Sequence, residues 1–412
     1  MTEHIETVII GGGQAGLALS SYLTRQGQTH LVLEQGRVGE TWRSGRWDSF
    51  TLNTPNWMTQ LPGFPYQGDD PDGFLPREDI VTYLEQYAAS FQAPLHCGVR
   101  VTAVRQQPGG ESYLVEAEER TVKARNVVLA TGAYPKPKLP TASEALSVEI
   151  CQLPTSEYRH PQMLPSGAVL VVGTGQSGCQ IAEDLHESGR QVYLSTSSCG
   201  RVPRRYRGKD ITWWLTRTGF FDRTIDQLPS PTAKFACNPH VSGNHGGHDI
   251  NLRHLAKRGM ILLGRVQAAQ GKQIILAPDL EENLARADAH AIQTTQEIDE
   301  YITKTGMKVE ANSTTAEAPS NGASSTQAIL TLDLQSAGIS TIIWASGFKL
   351  DFGWVQLPVF DRVGYPLHWR GVTAFPGLYF LGLSWLYKRK SALLYGVGED
   401  AAFIASAIAG RR

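Results

Sequence analysis

Two stretches of the chain carry the same alternation of apolar and polar positions, 162 residues apart. Each opens with a short apolar, β-branched run, "VII" before Gly11 and "AVLVV" before Gly173. Runs of that length and composition predict buried strands. A glycine cluster follows, "GGGQAG" or "GTGQSG", then a helical pattern, "LALSSYLTRQG" or "CQIAEDLHESG", then a second strand, "THLVLE" or "QVYLST". Gly11, Gly13, Gly16 and Gly27 recur as Gly173, Gly175, Gly178 and Gly189. Two whole strand–turn–helix–strand units therefore correspond.

Between the units, the pattern predicts a helix from about Arg77 to Phe91 and strands around "RVTAVRQ", "SYLVEAE" and "NVVLATG", the last ending at Gly132. The prolines of "AYPKPKLP" read as a stiff linker. From Asp279 to Thr305, Leu280, Leu284, Ala287, Ala291, Ile298 and Tyr301 keep a three-four spacing, the mark of one amphipathic helix. Its apolar stripe packs on its own domain, with a homodimer contact or a lid as the alternatives. "ANSTTAEAPSNGASST", 311–326, has almost nothing to bury and is expected to be a mobile loop. The strands "AILTLDL" and "STIIWASGF" and the segment "PGLYFLGL" then lead back. The expected fold is α/β, with two Rossmann-like dinucleotide-binding domains, the second inserted within the first. Residues 1–160 and 330–412 form one domain and 161–329 the other.

The glycines have separate tasks in such a turn. The first permits a sharp bend, the second lets a pyrophosphate approach the backbone, and the third lets helix and strand pack closely. The helix N-terminus then offers free N–H groups to the phosphates. The second strands end differently. Glu34 stands eighteen residues after Gly16, where a carboxylate can accept from both hydroxyls of an unphosphorylated ribose. The same offset from Gly178 falls on Thr196, followed by Arg201, Arg204, Arg205, Arg207 and Lys209. Arginine forks bind phosphate well. The first unit reads as an FAD site and the second as an NADPH site, unless the basic run is only a solvated loop.

Composition narrows the class. A chain of 412 residues has room for two or three domains, and a net charge of −1 gives no pull toward nucleic acid or a membrane. No signal pattern precedes the first strand and no apolar stretch has membrane-spanning length, so a cytoplasmic protein is expected. The five cysteines, Cys97, Cys151, Cys179, Cys199 and Cys237, form no C-x-x-C or other close pair in sequence, which argues against a disulfide reductase. The long irregular stretch "VGETWRSGRWDSFTLNTPNWMTQLPGFPY" is of the kind that carries function. Trp213, Trp214, Phe220 and Phe221 read as core ahead of a substrate box. His240, His245 and His248 lack the spacing of a metal set, so no metal is expected.

Taken in order, "GGGQAG" with Glu34, "VGETWR", "LNTPNWM", "ATGAYPKP", "GTGQSG", "WASGF", "PGLYFLGL" and "GVGEDAAFIASAI" resemble the single-component flavin-dependent monooxygenases, which include the flavin monooxygenases, the plant auxin-forming enzymes and the Baeyer–Villiger enzymes. The resemblance covers nearly the whole chain. It implies that NADPH reduces FAD, that oxygen adds at flavin C4a, and that the resulting peroxide oxygenates a small organic substrate. Asn53 would lie beside the flavin and help hold nicotinamide and peroxide, a task suited to an uncharged amide; otherwise it is an Asx-turn residue before Pro55. Trp42 would pack along the FAD, Ala130, Thr131 and Gly132 and Ala345, Ser346 and Gly347 would be the interdomain crossings, and Asp400 would sit near the C-terminal flavin helix. Gln14, Ala15, Gln35, Thr41, Val101 and Gly382, with Gln176 and Ser177, complete the cofactor-binding set. One departure stands out: Val148, Ile150 and Pro154 replace the Phe, Gly and His of the family fingerprint, and only Tyr158 matches. Lys388, Arg389 and Lys390 admit a halogenase reading, an anionic substrate or a solvated loop. The leading function is an NADPH- and FAD-dependent monooxygenase; a flavin halogenase, an NADPH oxidase or reductase without oxygen transfer, and a flavin-binding redox sensor or adaptor are the alternatives.

Overall fold

The computed structural model describes residues 3–118, 120–310 and 328–411. The expected loop at 311–326 lies outside them. The main strands are β1 (Glu3–Ile10), β2 (His30–Glu34), β3 (Leu95–Cys97), β4 (Val101–Gln106), β5 (Tyr113–Ala117), β6 (Thr121–Leu129), β7 (Cys151–Pro154), β8 (Ala168–Val172), β9 (Val192–Ser195), β10 (Ile261–Leu263), β11 (Val266–Gln270), β12 (Gln273–Leu276), β13 (Thr331–Asp333), β14 (Ile339–Trp344) and β15 (Leu378–Phe380). The helices needed below are α1 (Gln14–Arg25), α2 (Arg77–Ser90), α3 (Gln176–Glu187), α4 (Ile211–Arg217), α5 (Leu280–Thr305) and α6 (Val397–Ala409).

The first sheet runs β3-β2-β1-β6-β5-β4, with β15 also on β6. β6 is long enough to divide its outer edge, pairing antiparallel with β5 through Thr121–Ala124 and parallel with β15 through Val127–Leu129. The second sheet is parallel throughout, in the order β7-β14-β8-β9-β10. Its central strand β8 is buried along its whole length, which is why "AVLVV" shows no alternation. The chain leaves the first sheet after β6 and returns to it at β15, enclosing the second sheet.

Sheet membership corrects the expected boundaries. β7 precedes residue 160 yet pairs with β14, and β14 lies after 330 yet pairs with β8 through Val169↔Thr341 to Val172↔Trp344. β13 joins the small antiparallel sheet β11-β12-β13. The physical reason is that an apolar strand opening a nucleotide-binding unit needs neighbours on both edges, and "STIIW" supplies the missing one. The return to the first sheet comes only after Trp344.

Crossings out and back run side by side. Lys138 N–H donates to Gly347 O (2.9 Å), Ser346 Oγ donates to Lys138 O, and Phe348 pairs with Pro137. Helix α5 buries Leu284, Ala287, Ala291 and Ile298 on the stripe read from the sequence. Ile298 joins a core cluster with Trp214, Ile211 and Tyr206, so Trp214 is core rather than a substrate box. Among the described residues, no helix is long and apolar enough to cross a membrane.

Candidate functional site: two matched nucleotide cradles and the seam between them

The two glycine turns superimpose in their hydrogen bonding. Gly11 N–H donates to Leu33 O (2.8 Å), and Gly173 N–H donates to Ser195 O (2.9 Å). Ala130 N–H donates to Ile10 O (2.8 Å), and Ala345 N–H donates to Val172 O (2.9 Å). Each first glycine is left-handed, with φ of 114° at Gly11 and 109° at Gly173. A Cβ there would lie 2.5 Å from Ala130 O or 2.6 Å from Ala345 O. The crossings at 130–132 and 345–347 are therefore stacked directly on the two turns.

The third glycines are tighter still. A Cβ on Gly16 would meet Gly11 O at 1.9 Å, and one on Gly178 would meet Gly173 O at 2.0 Å. The second glycines, Gly13 and Gly175, have nothing within 4 Å, which leaves room for a diphosphate at the helix start. Backbone cannot yield as a side-chain tip does. Gly178→Ala should cost about 1–3 kcal/mol by overpacking and weaken the second cradle selectively. A thermal melt together with nucleotide titration checks this, and wild-type nucleotide affinity would refute it.

Each helix begins with a glutamine that holds a returning loop. Gln14 Nε2 donates to Ala392 O (2.6 Å), and Gln176 Nε2 donates to Val241 O (2.6 Å). Beside Gln14, Ala15 is buried and packs under Gly382, whose added Cβ would lie 2.6 Å from that of Ala15. Ser177 is half-buried in the first turn of α3. The C-terminal segment is thereby drawn over the first cradle.

The strand ends differ as the sequence suggests, but not at the residue expected. Glu34 accepts from Gly12 N–H (2.6 Å) and Gly36 N–H (2.8 Å), so its carboxylate is fixed across the mouth of the first turn. Thr196, its counterpart by offset, is buried, donates to Leu263 O (2.8 Å) and faces away from the second turn. Ser197 takes the position instead, with its Oγ 2.9 Å from Thr174 Oγ1. A one-residue slip at a strand end reverses the face.

The arginine run also divides. Arg204 is 1% exposed; its Nη2 donates to Asp210 Oδ1 (2.5 Å) and its Nη1 to Asn53 O (2.8 Å), with the guanidinium 4.8 Å from the Phe74 ring centre. It is not available to a phosphate. Burial pulls its pKa below the ordinary arginine value, while Asp210 opposes that shift. Arg201 pairs with Asp288 of α5 (2.8 Å), and Arg207 with Asp299 (2.6 Å). Arg205 is exposed and makes one long bond, to Gly246 O (3.3 Å).

Asn53 lies at the seam of the two units. Its Oδ1 accepts from Gln180 Nε2 of α3 (3.0 Å) while Arg204 holds its carbonyl, and among the described residues its Nδ2 has no protein acceptor. The amide is thus oriented from the second unit, not by a turn of its own. The same helix continues the seam: Ser49 donates to Asp184 Oδ1 (2.6 Å), Tyr158 OH donates to Asp184 Oδ2 (2.5 Å), and His248 Nε2 meets Glu183 Oε1 (2.8 Å). His245 meets Glu187 (3.2 Å). Glu183 thus holds His248 and Glu187 holds His245, with the Glu187 charge also acting on His248.

The hydrogen bond to Glu183 raises the His248 pKa above its ordinary value, with burial opposing. A histidine raised on folding stabilises fully below its unfolded pKa of about 6.5 and loses that contribution as pH climbs through the folded value. The melting temperature should therefore fall between about pH 6 and about pH 8 more steeply in wild type than in His248→Gln. Parallel slopes would show that the pair is not the source.

Other expected positions are more dispersed. Trp42 is half-buried against Phe50 (5.9 Å between ring centres), with Thr41 beside it on the surface and Arg46 above its ring (5.3 Å). Gln35 is exposed and Val101 opens β4 at the sheet edge. Asp400 is buried in the first turn of α6; Arg370 approaches its Oδ1 (3.4 Å), its Oδ2 has no hydrogen-bond partner among the described residues, and burial raises its pKa against the opposing hydrogen bond from Ser391. Lys388 and Lys390 both pair with Asp222 (2.9 Å each) and with Glu399 (2.9 and 2.5 Å). Cys199 is buried and its Sγ donates to Asn238 O (3.2 Å), while Cys237 is exposed.

Residues 8–215 match the pyridine nucleotide-disulphide oxidoreductase family. A CzcO-like uncharacterized oxidoreductase of Geobacillus kaustophilus is 33% identical over 408 residues, 98% of each chain. The chain belongs to the pyridine nucleotide-disulphide oxidoreductase family. It is an oxidoreductase, with two matched glycine-turn cradles of the dinucleotide-binding kind. It is also similar to the indole-3-pyruvate monooxygenase YUCCA1 of Oryza sativa subsp. japonica, 30% identical over 204 residues, 49% of this chain and 50% of that one. Its fold matches that of a flavin-containing monooxygenase from Stenotrophomonas maltophilia with a TM-score of 0.67 over 99% of each chain, at 18% identity.

Proposed function

We propose that this chain is an NADPH-dependent flavoprotein monooxygenase that transfers one oxygen atom of O2 to a small organic substrate. The observation that carries this reading is the pair of matched glycine turns together with Asn53, whose side-chain amide is held against the second unit by Gln180 and whose carbonyl is held by Arg204. In this reading FAD lies on Gly11–Gly16, with its ribose on Glu34 and the unpartnered Oδ2 of Asp400 free to accept from a cofactor hydroxyl. NADPH lies on Gly173–Gly178, with Ser197 at its ribose. The first sheet with α6 forms the FAD domain, and the second sheet with α5 forms the NADPH domain.

Bound FAD would supply hydride acceptance from NADPH and reaction with oxygen. The chain's part is to position and to exclude water. Asn53 Nδ2 can donate to a developing negative charge without titrating. Gln14 and Gln176 keep the loops at 392 and 241 closed over the helix starts.

Arg205 is the arginine of the run left for a 2′-phosphate. A charge-assisted bond of about 1.5–3 kcal/mol predicts that Arg205→Ala raises the NADPH Michaelis constant roughly 10- to 100-fold. NADH kinetics should stay within about twofold. Equal losses with both nucleotides would remove Arg205 from the site.

One observation favours a second reading, an NADPH oxidase. Pro154, where the resembled family has His, ends β7 buried and has no N–H to donate. The halogenase reading loses its lysines, since both are engaged by Asp222 and Glu399. The deciding experiment supplies NADPH, 18O2 and a panel of amine, thioether and ketone probes. Label in a product supports oxygen transfer; one hydrogen peroxide formed from O2 per NADPH oxidised, with no label in any probe, selects the oxidase. Released flavin identified as FMN would overturn both.

A further inference from the structure

The C-terminal segment docks on the second unit along a short backbone ladder. Ile225 N–H donates to Tyr387 O (2.9 Å), Arg389 N–H donates to Arg223 O (2.9 Å), and Lys390 N–H donates to Phe221 O (3.3 Å). Two residues further on, Ala392 O meets Gln14 at the first cradle. The cations Lys388, Arg389 and Lys390 therefore stand in a row where the two units join. Both lysines are neutralised by Asp222 and Glu399. Arg389, between them, is turned to other neighbours and has no acidic partner among the described residues.

Those neighbours hold its plane. The half-buried guanidinium lies 4.1 Å from the Phe220 ring centre and 5.3 Å from that of Trp385, and its Nη2 donates to Asn238 Oδ1 (2.7 Å). No other hydrogen bond engages the guanidinium among the described residues, so most of its five N–H donors stay open. Arg223, 5.2 Å from the same Phe220 ring, has Glu297 as its own partner (3.5 Å). Burial and then the Arg223 charge pull the Arg389 pKa down to about 10, which leaves a cation at neutral pH, partly desolvated and without a counter-ion. From Phe220 a trail of ring contacts leads to Phe221 (5.5 Å), Tyr395 (6.4 Å) and Trp57 (5.8 Å), four residues after Asn53. These rings lie outside the cores of the two sheets and of α5.

We infer that Arg389 is the carboxylate-recognising residue of the substrate site, and that the substrate is an organic acid with an aromatic or apolar body. The inference rests on the monooxygenase reading for the fate of the substrate, not for its binding. A planar fork fits both oxygens of a carboxylate. Phe220 and Trp385 fix the plane of that fork, Asn238 fixes its rotation, and the apolar body follows Phe221, Tyr395 and Trp57 toward Asn53. The flanking lysines cannot take over, because Asp222 and Glu399 already hold them. A nucleotide phosphate is the other oxyanion a guanidinium attracts, but the second helix start and Arg205 serve that group, whereas Arg389 belongs to the segment closed over the first cradle.

The test uses the full chain with its flavin and two matched probes, para-methylthio-phenylacetate and its methyl ester, which differ only in the charge offered to Arg389. Binding is titrated by tryptophan fluorescence, beside sulfoxide formation and the NADPH Michaelis constant. Wild type should bind the acid at least about 10-fold more tightly than the ester. Arg389→Ala should weaken the acid about 10- to 100-fold and the ester by less than about twofold, with the NADPH constant unchanged. Arg389→Lys keeps the charge without the fork and should restore part of the preference. Equal binding of acid and ester by wild type, or an NADPH loss in Arg389→Ala as large as the loss of the acid, would overturn the inference. Because the titration needs no turnover, an intact acid preference with no sulfoxide from either probe would count against oxygen transfer and still support the carboxylate site. The wild-type ratio alone decides it if a variant fails to fold.

Discussion

Asn53→Ala is expected to fold, keep its flavin and oxidise NADPH, while losing oxygen transfer by a factor of about 10² to 10³. The magnitude is that of removing one preorganised donor from a site where charge develops. The structure supplies the preorganisation: Gln180 holds the Oδ1 at 3.0 Å, Arg204 holds the carbonyl at 2.8 Å, and the Nδ2 has no protein acceptor among the described residues. The substitution leaves the backbone carbonyl and its bond to Arg204 in place, so stability should change by no more than about 1 kcal/mol. Peroxide per NADPH should rise toward one as product falls. Gln180→Ala should reproduce the effect more weakly, because the amide is then free to rotate but still present. Unchanged coupling with a lowered melting temperature would reduce Asn53 to a structural residue.

The second large effect concerns Arg204. Removing one partner of a buried ion pair strands the other, and Asp210 is only 8% exposed. Arg204→Ala should cost about 3–5 kcal/mol, which for units of this size lowers the melting temperature by roughly 6–20 °C. Asp210 also caps α4, accepting from Thr212 N–H (2.8 Å), so the loss should spread into the Trp214 cluster. Because Arg204 also fixes the Asn53 carbonyl, coupling should suffer too. NADPH and NADH kinetics should change alike. A well-folded variant that lost NADPH alone would return Arg204 to the phosphate.

The sequence reveals what depends on local backbone. The glycine pattern, the Glu34 carboxylate and the capped helices follow from period and turn chemistry, and the hydrogen bonds of the two turns match one for one. The stripe of α5 is legible for the same reason, since three-four spacing survives whatever it packs against. What escapes is decided at a distance. Nothing in "RVPRRYRGK" distinguishes Arg204, drawn inward by Asp210 and Phe74, from Arg205, left at the surface. Thr196 and Ser197 differ by one pleat, and the offset rule counts residues without knowing which face the strand end presents. The domain boundary moves because strand order does not follow chain order: "STIIW" is the neighbour of "AVLVV" in space alone. A signal existed there, in an apolar run too continuous for a sheet edge.

Because the outward and returning crossings lie side by side, with Lys138 bonded to Gly347 and Phe348 paired with Pro137, the second unit enters and leaves the first through one narrow neck. Such a neck makes the insert exchangeable. A transplant cut at 137 and 348 would carry a complete parallel sheet with its own turn, and a short bridge could close the remaining first sheet without stretching any strand. The interface to redesign on exchange is then the polar face of α3 against residues 49–53, with the contacts of Asp222 and Asn238 to residues 388–390 and of Arg204 to Phe74, not the hinge.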